Sequence, residues 1–342
     1  MNNSEELQND FRKALSSYIN DGYVSKEDLV FALISPKIVF TRNAPLIIQK
    51  YHTFVESLSI PGNSPLNLQV EIYRGPNPYV QRMMQYLASH LQEDLAGAYV
   101  HGSLGVYDEI PYSDFDALVI LKQEVFESVK RLANAAQKLH AALSIMYNYD
   151  PLQHHGWFVL VEAELKSYPE NYFPVELFRY AKSLLPDQGL ELKLQYQNLV
   201  ALNRKSFDNL SNSIITRTTP KDYPKNMYQL KGLLSQFMLL PSYYVQVRDK
   251  KGVFKKHSFV VARNDFSAEE WAVMDEVSLI RQNWEYKISS LKRKFFTNPK
   301  RMARLLARKY APLIPASLQS RLTDEFYHRM KKLVVAMQAR LA

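Results

Sequence analysis

The chain has 342 residues, 46% hydrophobic and 23% charged, with a net charge of +9, which is ordinary globular composition and length for two or three domains. No run approaches the roughly 18 uncharged apolar residues of a membrane span, and the polar start MNNSEELQNDF lacks the apolar core of a secretory signal. With no cysteine, disulfides, thiolate catalysis and zinc–sulfur sites are excluded, so a cytoplasmic enzyme or binding protein with no membrane partner is expected.

Residues 4–58 carry helix-like stretches; in SEELQNDFRKALSSYI, Leu7, Phe11, Leu15 and Ile19 fall on one face. Pro61, Gly62, Asn63, Ser64 and Pro65 mark a break. After the turn RGPNP, residues 79–95 read as an amphipathic helix and AGAYVHGS as a strand entering a glycine turn. DFDALVIL is a second strand, residues 122–149 a long helix, and HGWFVLVEAEL a third strand. This order suggests a sheet unit over 75–167, preceded by a helical segment, 1–74, and followed by a mainly helical, basic C-terminal domain, 168–342.

In that last domain helices are expected over 175–185, 188–214, 222–239, 267–296 and 319–341. A β-hairpin is expected around Lys251–Gly252 in SYYVQVRDKKGVFKKHSFVVA, because Pro241 argues against a helix running through it. The basicity collects at the end. Residues 287–342 carry 14 Lys/Arg against Asp324 and Glu325, a surplus of 12, and the preceding 286 residues are net −3. Such a tail is either a surface for phosphate-rich partners, RNA among them, or a solvated helical face. Within it, helical spacing assigns Phe295, Met302, Leu305, Leu306 and Tyr310 to a packing face; the rival reading is a polynucleotide-binding surface.

The chemistry concentrates in VHGSLGVYDEIPYSDFDALVIL, residues 99–120. Side chains alternate along a strand, so Asp114 and Asp116 share one face while Phe115, Ala117 and Val119 take the other. Two neighbouring carboxylates in an apolar strand are costly unless a cation compensates. Gly102 lets backbone approach a ligand closely, and Ser103 adds a hydroxyl and an N–H, which suits phosphate oxygens. Paired acids opposite a phosphate cradle are what magnesium-assisted phosphoryl transfer uses.

His101-Gly102-Ser103, a ten-residue spacer and Asp114-Phe115-Asp116 together resemble the signature of the nucleotidyltransferase superfamily, which includes DNA polymerase beta, poly(A) polymerases and aminoglycoside nucleotidyltransferases. The resemblance implies an α+β fold: a nucleotidyltransferase-like mixed sheet with flanking helices, followed by a mainly α-helical domain closing over the nucleotide. It implies transfer of a nucleoside monophosphate from a nucleoside triphosphate to a hydroxyl-type acceptor, with release of pyrophosphate. Asp114 and Asp116 would hold Mg2+ or Mn2+, and Gly102 and Ser103 the phosphates.

It also implies a third carboxylate from a neighbouring strand. Glu162, the more central, and Glu164 are the candidates, as metal ligand or general base; an edge or solvated face for both is the alternative. His154 and His155 would point oppositely on a strand, with Asp150 nearby; a structural turn role is expected, the alternative being that one of them hydrogen-bonds a phosphate or the acceptor. A closing domain supplies cations to the outer phosphates, for which Lys225 and Lys231 are candidates, as are Lys255, Lys256 and His257. ATP is the default donor, and a small molecule is favoured over an RNA end as acceptor. The alternatives are a catalytically inactive nucleotide-binding regulatory or partner protein, and a polynucleotide-tailing enzyme.

Overall fold

The computed structural model describes residues 3–24, 28, 36–58, 64–168, 170, 172–186, 189–194 and 199–342. Helices α1 (Asn3–Asp21) and α2 (Pro36–Ser57) come first, followed by strand β1 (Ser64–Leu68). Helix α3 (Pro78–His90) starts where the sequence signals it: the Asn77 side chain accepts from the N–H groups of Tyr79 at 3.0 Å and Val80 at 3.4 Å, with proline in the first turn. Strand β2 (Leu95–Val100), the single turn α4 (Gly102–Gly105) and strand β3 (Ala117–Leu121) follow. Helix α5 (Val129–Tyr149), capped by Ser128, connects β3 to β4 (Phe158–Val161), which runs parallel to β3 and so needs such a crossover. Then come the turns α6 (Glu162–Leu165) and α7 (Val175–Arg179), and strands β5 (Lys182–Ser183) and β6 (Leu190–Leu194).

The main sheet has the order β4-β3-β2-β5, with β2 antiparallel to both β3 and β5, and β1 pairs separately with β6. Its two faces follow the alternation of β3. Phe115, Ala117, Val119 and Leu121 pack into a cluster with α1, α2, α3 and α5, so the N-terminal helices share a core with the sheet. Leu118 and Ile120 join Tyr168, Phe173, Phe178 and Leu192 on the other face. Each such side chain, fully buried, contributes about 1.5–3 kcal/mol.

The remainder is helical: α8 (Leu199–Arg217), α9 (Met227–Phe237), α10 (Leu240–Asp249), α11 (Lys255–Arg263), α12 (Ala268–Gln282), α13 (Ser290–Phe296), α14 (Arg301–Lys309), α15 (Ala316–Gln319) and α16 (Asp324–Leu341). A third cluster, including Leu230, Phe237, Trp271, Met274 and Met330, draws in Tyr112 and Leu152 from the sheet side and so joins the two halves. The fold is thus α+β, a small mixed sheet among many helices. No helix among the described residues is long and apolar enough to cross a membrane.

Several expectations are corrected. The hairpin around Lys251–Gly252 is two helices, α10 and α11. Pro241 lies in the first turn of α10, where its missing N–H costs nothing, and Lys250 ends that helix in the left-handed region at φ 54°. The helix expected over 175–185 stops at Arg179 and gives way to β5, and part of 188–214 is β6. The third strand ends at Val161, because the Glu164 carboxylate accepts the Val161 N–H at 2.9 Å and starts a helical turn. The break expected at residues 61–63 lies outside the described residues, while Ser64 and Pro65 open β1.

Candidate active site

Asp114 and Asp116 stand just before β3 rather than within it. A side chain replaces the missing ladder: Gln153 accepts the Phe115 N–H at 2.9 Å and donates to the Phe115 carbonyl at 3.1 Å. On the other side, the His101 N–H donates to the Asp116 carbonyl at 2.9 Å. Backbone polar groups are thereby satisfied while both carboxylates leave the sheet at its end.

Gly102 and Asp116 meet. Gly102 adopts φ +64°, and a Cβ built there would lie 2.6 Å from Asp116 Oδ2, so only glycine fits beneath this carboxylate. Ser103 lies in the same turn, where its hydroxyl donates to Ser113 Oγ at 2.9 Å, which in turn accepts the Ile110 N–H.

Each aspartate has an internal cation. Lys231, wholly buried on α9, places Nζ 2.6 Å from Asp114 Oδ1 and 2.7 Å from Asp150 Oδ2, and donates to the Tyr112 carbonyl at 2.8 Å. Tyr112 returns the contact, its hydroxyl donating to the Lys231 carbonyl at 2.5 Å. His155 Nε2 lies 2.9 Å from Asp116 Oδ1. The site keeps an opening, with the Asp114 side chain 16% and the Asp116 side chain 26% exposed.

The protonation states follow from this packing. Burial opposes ionisation of Asp114, but Lys231 and then His155 outweigh it and hold the carboxyl well below its usual range. Asp116 is likewise lowered, burial being overcome by the His155 hydrogen bond. Burial also works against charge on His155, yet the Asp116 hydrogen bond and the charges of Asp116 and Asp114 bring it up to about 9. Asp150 goes the other way: burial, helped by the neighbouring Asp114 charge, raises it despite Lys231. Lys231 stays charged because Asp114 and Asp150 overcome its burial.

Two further cations face this group. Lys255, at the start of α11, is brought down to about 8 by burial and by Arg281, against the pull of Asp116 and Asp114. Arg281, near the end of α12, is lowered by burial, lies 4.7 Å over the Tyr112 ring and leaves Nε buried without a hydrogen bond. Among the described residues neither has an ion-pair partner. Two like charges held near each other, with only the longer-range pull of Asp114 and Asp116 to offset them, repel and would be relieved by an anion.

The other expected site residues lie elsewhere. Glu164 is fully buried against Arg12, whose Nε donates to Oε1 at 2.6 Å, and Glu162 accepts the Gln123 N–H at 3.1 Å. The acid beside Asp114 is instead Asp150, which shares Lys231 with it. Lys225 is exposed, its N–H donating to Gln229, and no contact joins it to the aspartates. Lys256 pairs with Asp108 at 2.5 Å, and His257 meets the Tyr180 ring edge-on. His155 contacts Asp116 as described, whereas His154 stacks on Tyr228 at 3.9 Å and is lowered by burial to about 3. The adjacency of His154 and His155 to the third strand was the only sequence signal for this; Arg281 gave none.

No protein-family model and no curated protein matches this chain.

A divalent ion is the group that the motif implies, and two observations test its fit. One oxygen of each aspartate is taken by an internal cation, Asp114 Oδ1 by Lys231 at 2.6 Å and Asp116 Oδ1 by His155 at 2.9 Å, while Asp116 Oδ2 lies over Gly102. No cluster of three or more His, Asp or Glu is grouped for a metal among the described residues. Magnesium asks for less, because one or two carboxylates complete its shell with water and substrate phosphates. The two aspartates would suit an ion of that kind.

Proposed function

We propose that the chain is a magnesium- or manganese-dependent nucleotidyltransferase, moving a nucleoside monophosphate from a nucleoside triphosphate, ATP by default, to the hydroxyl of a small-molecule acceptor. The observation that carries this reading is the Asp116 carboxylate seated over left-handed Gly102, with Lys255 and Arg281, neither of them in an ion pair among the described residues, facing the same two acids. A bound divalent ion would neutralise the triphosphate and polarise the phosphoryl group. Asp114 and Asp116 would hold it. Lys255 and Arg281 draw the outer phosphates and compensate the charge that develops on the departing pyrophosphate. Lys231 and His155 fix the two carboxylates in place, and Gly102 leaves room for the Asp116 carboxylate against backbone.

A second reading, a nucleotide-binding regulatory protein without turnover, is favoured by the ion pairs already on both aspartates and by the distance of Glu162 and Glu164 from them. Labelled nucleoside triphosphates incubated with Mg2+ or Mn2+ and cell extract separate the two. Transfer of label by the wild type and its loss, by about a hundredfold or more, in Asp114→Ala/Asp116→Ala is expected for the enzyme. Equal labelling by both proteins sinks the catalytic assignment. Nucleotide binding with no transfer selects the second reading.

A further inference from the structure

In α14 the sequence RMARLLARK separates an arginine side, Arg301, Arg304 and Arg308, from an apolar side that includes Met302 and Leu305. A basic helix on a protein surface normally turns its charges to water. Here the arginines face inward. Arg304 is buried, donates to the carbonyls of Phe296 at 2.6 Å, Gln153 at 2.8 Å and Pro151 at 3.3 Å, and lies 3.8 Å over the Tyr147 ring. Arg301 pairs with Asp21 at 2.9 Å, and Arg308 lies over Tyr228. With that side anchored, Met302 and Leu305, neighbours at helical spacing, are left exposed.

Helix α13, packed beside α14, also leaves apolar side chains outside, although its basic residues are exposed as well. Its Phe296 is buried, while Leu291, 75% exposed, and Phe295, four residues on, form a second outward stripe. Exposed Lys292, Lys294, Lys300 and Lys309 lie among these residues, and no Asp or Glu occurs from residue 286 to 323.

Singly exposed apolar residues are ordinary, but two stripes on adjoining helices are more than scatter. Charge selects the occupant. A second copy of this chain would set lysine against lysine in a zone without acids. Single-stranded nucleic acid is held by stacking on aromatic rings and arginines; the arginines of α14 are committed internally, and the exposed aliphatic residues Leu291, Met302, Leu305 and Leu313 outnumber the exposed rings Phe295 and Tyr310. Aliphatic side chains among lysines match an anionic bilayer surface, where the apolar groups enter the acyl boundary and the ammonium groups meet lipid phosphates. We propose that α13 and α14 form a peripheral docking surface for anionic phospholipid membranes. The expectation of no membrane partner rested on the lack of a span, and a surface contact needs none.

The full chain, sedimented with phosphatidylcholine vesicles and with vesicles carrying about one-third phosphatidylserine, tests this. Pelleting with the anionic vesicles alone is expected, weakened about tenfold or more by Leu291→Glu/Leu305→Glu and comparably by Lys292→Glu/Lys294→Glu. All four positions are exposed, and unchanged thermal melting of either double variant suffices to read the result. No pelleting, equal pelleting with neutral vesicles, or pelleting that neither double variant weakens overturns the proposal. So does steeply salt-dependent binding of a single-stranded RNA without vesicle binding.

Discussion

Two buried groups of opposite charges lie on this sheet unit, and they are built differently. Glu164 accepts from Arg12 Nε at 2.6 Å, Gln8 Nε2 at 3.2 Å and the Val161 N–H at 2.9 Å, while the Arg12 guanidinium lies 4.9 Å over the Tyr172 ring. One acid meets one cation, every carboxylate oxygen has a donor, and the pair is closed to solvent. The Asp114–Asp116 group is partly open, shares Lys231 between two acids, and has Lys255 and Arg281 to spare. Complete pairing makes a brace that fixes α1 to the end of β4. Surplus charge beside an opening is what the proposed site for a charged ligand would need.

The largest effect expected from that contrast is on stability. Glu164→Gln leaves Arg12 buried without its counter-charge and is expected to cost about 3–5 kcal/mol in urea unfolding. A loss under about 1 kcal/mol would show that water reaches Arg12 and that the brace is no different from a surface pair.

The contrast also explains what a sequence reader could and could not see. That the Gly102 turn would meet an aspartate next to the second strand was legible because turn and strand are local and the period of two assigns faces without tertiary information. Phe115 and Val119 did go to the opposite core. Glu162 and Glu164 misled for the same reason. Two acids spaced along an apolar run look like a site in one dimension, while the arginine that claims Glu164 lies 152 residues away. Lys231 was found as a cation of the helical domain, yet it grips Asp114 rather than standing free for a phosphate. Phe295, Met302, Leu305 and Tyr310 had the spacing of a packing face and are exposed, because carbonyl groups at Pro151, Gln153 and Phe296 give Arg304 a better burial site. Periodicity shows that a helix has two sides; only the partner decides which side turns inward.

A smaller effect, with its own pH window, is expected at His155. Folding raises it from its ordinary 6.5 to about 9, so its pairing with Asp116 stabilises fully below about pH 6.5 and is lost as pH rises through 9. With the side chain one-third exposed, solvent screening leaves about 1–2 kcal/mol of that contribution. Urea midpoints of the wild type should therefore fall across this window, and those of His155→Gln should fall less. Parallel curves for the two proteins would place the titrating group elsewhere.

The smallest change in stability is expected where the comparison is sharpest, at Lys255. Burial and the Arg281 charge already push its ammonium down to about 8, so Lys255→Met relieves a repulsion and should leave unfolding within about 0.5 kcal/mol of wild type. Its loss should register on an anion instead. Inorganic triphosphate, added without metal, should protect the wild type against unfolding and bind Lys255→Met about tenfold more weakly, since a charge-assisted contact has gone. The same protection should fade in the wild type as pH rises past 8 and the amine loses its proton. If Lys255→Met instead unfolds as readily as Glu164→Gln, Lys255 is a second brace and the surplus of charge that marks this cleft as a binding site is not there.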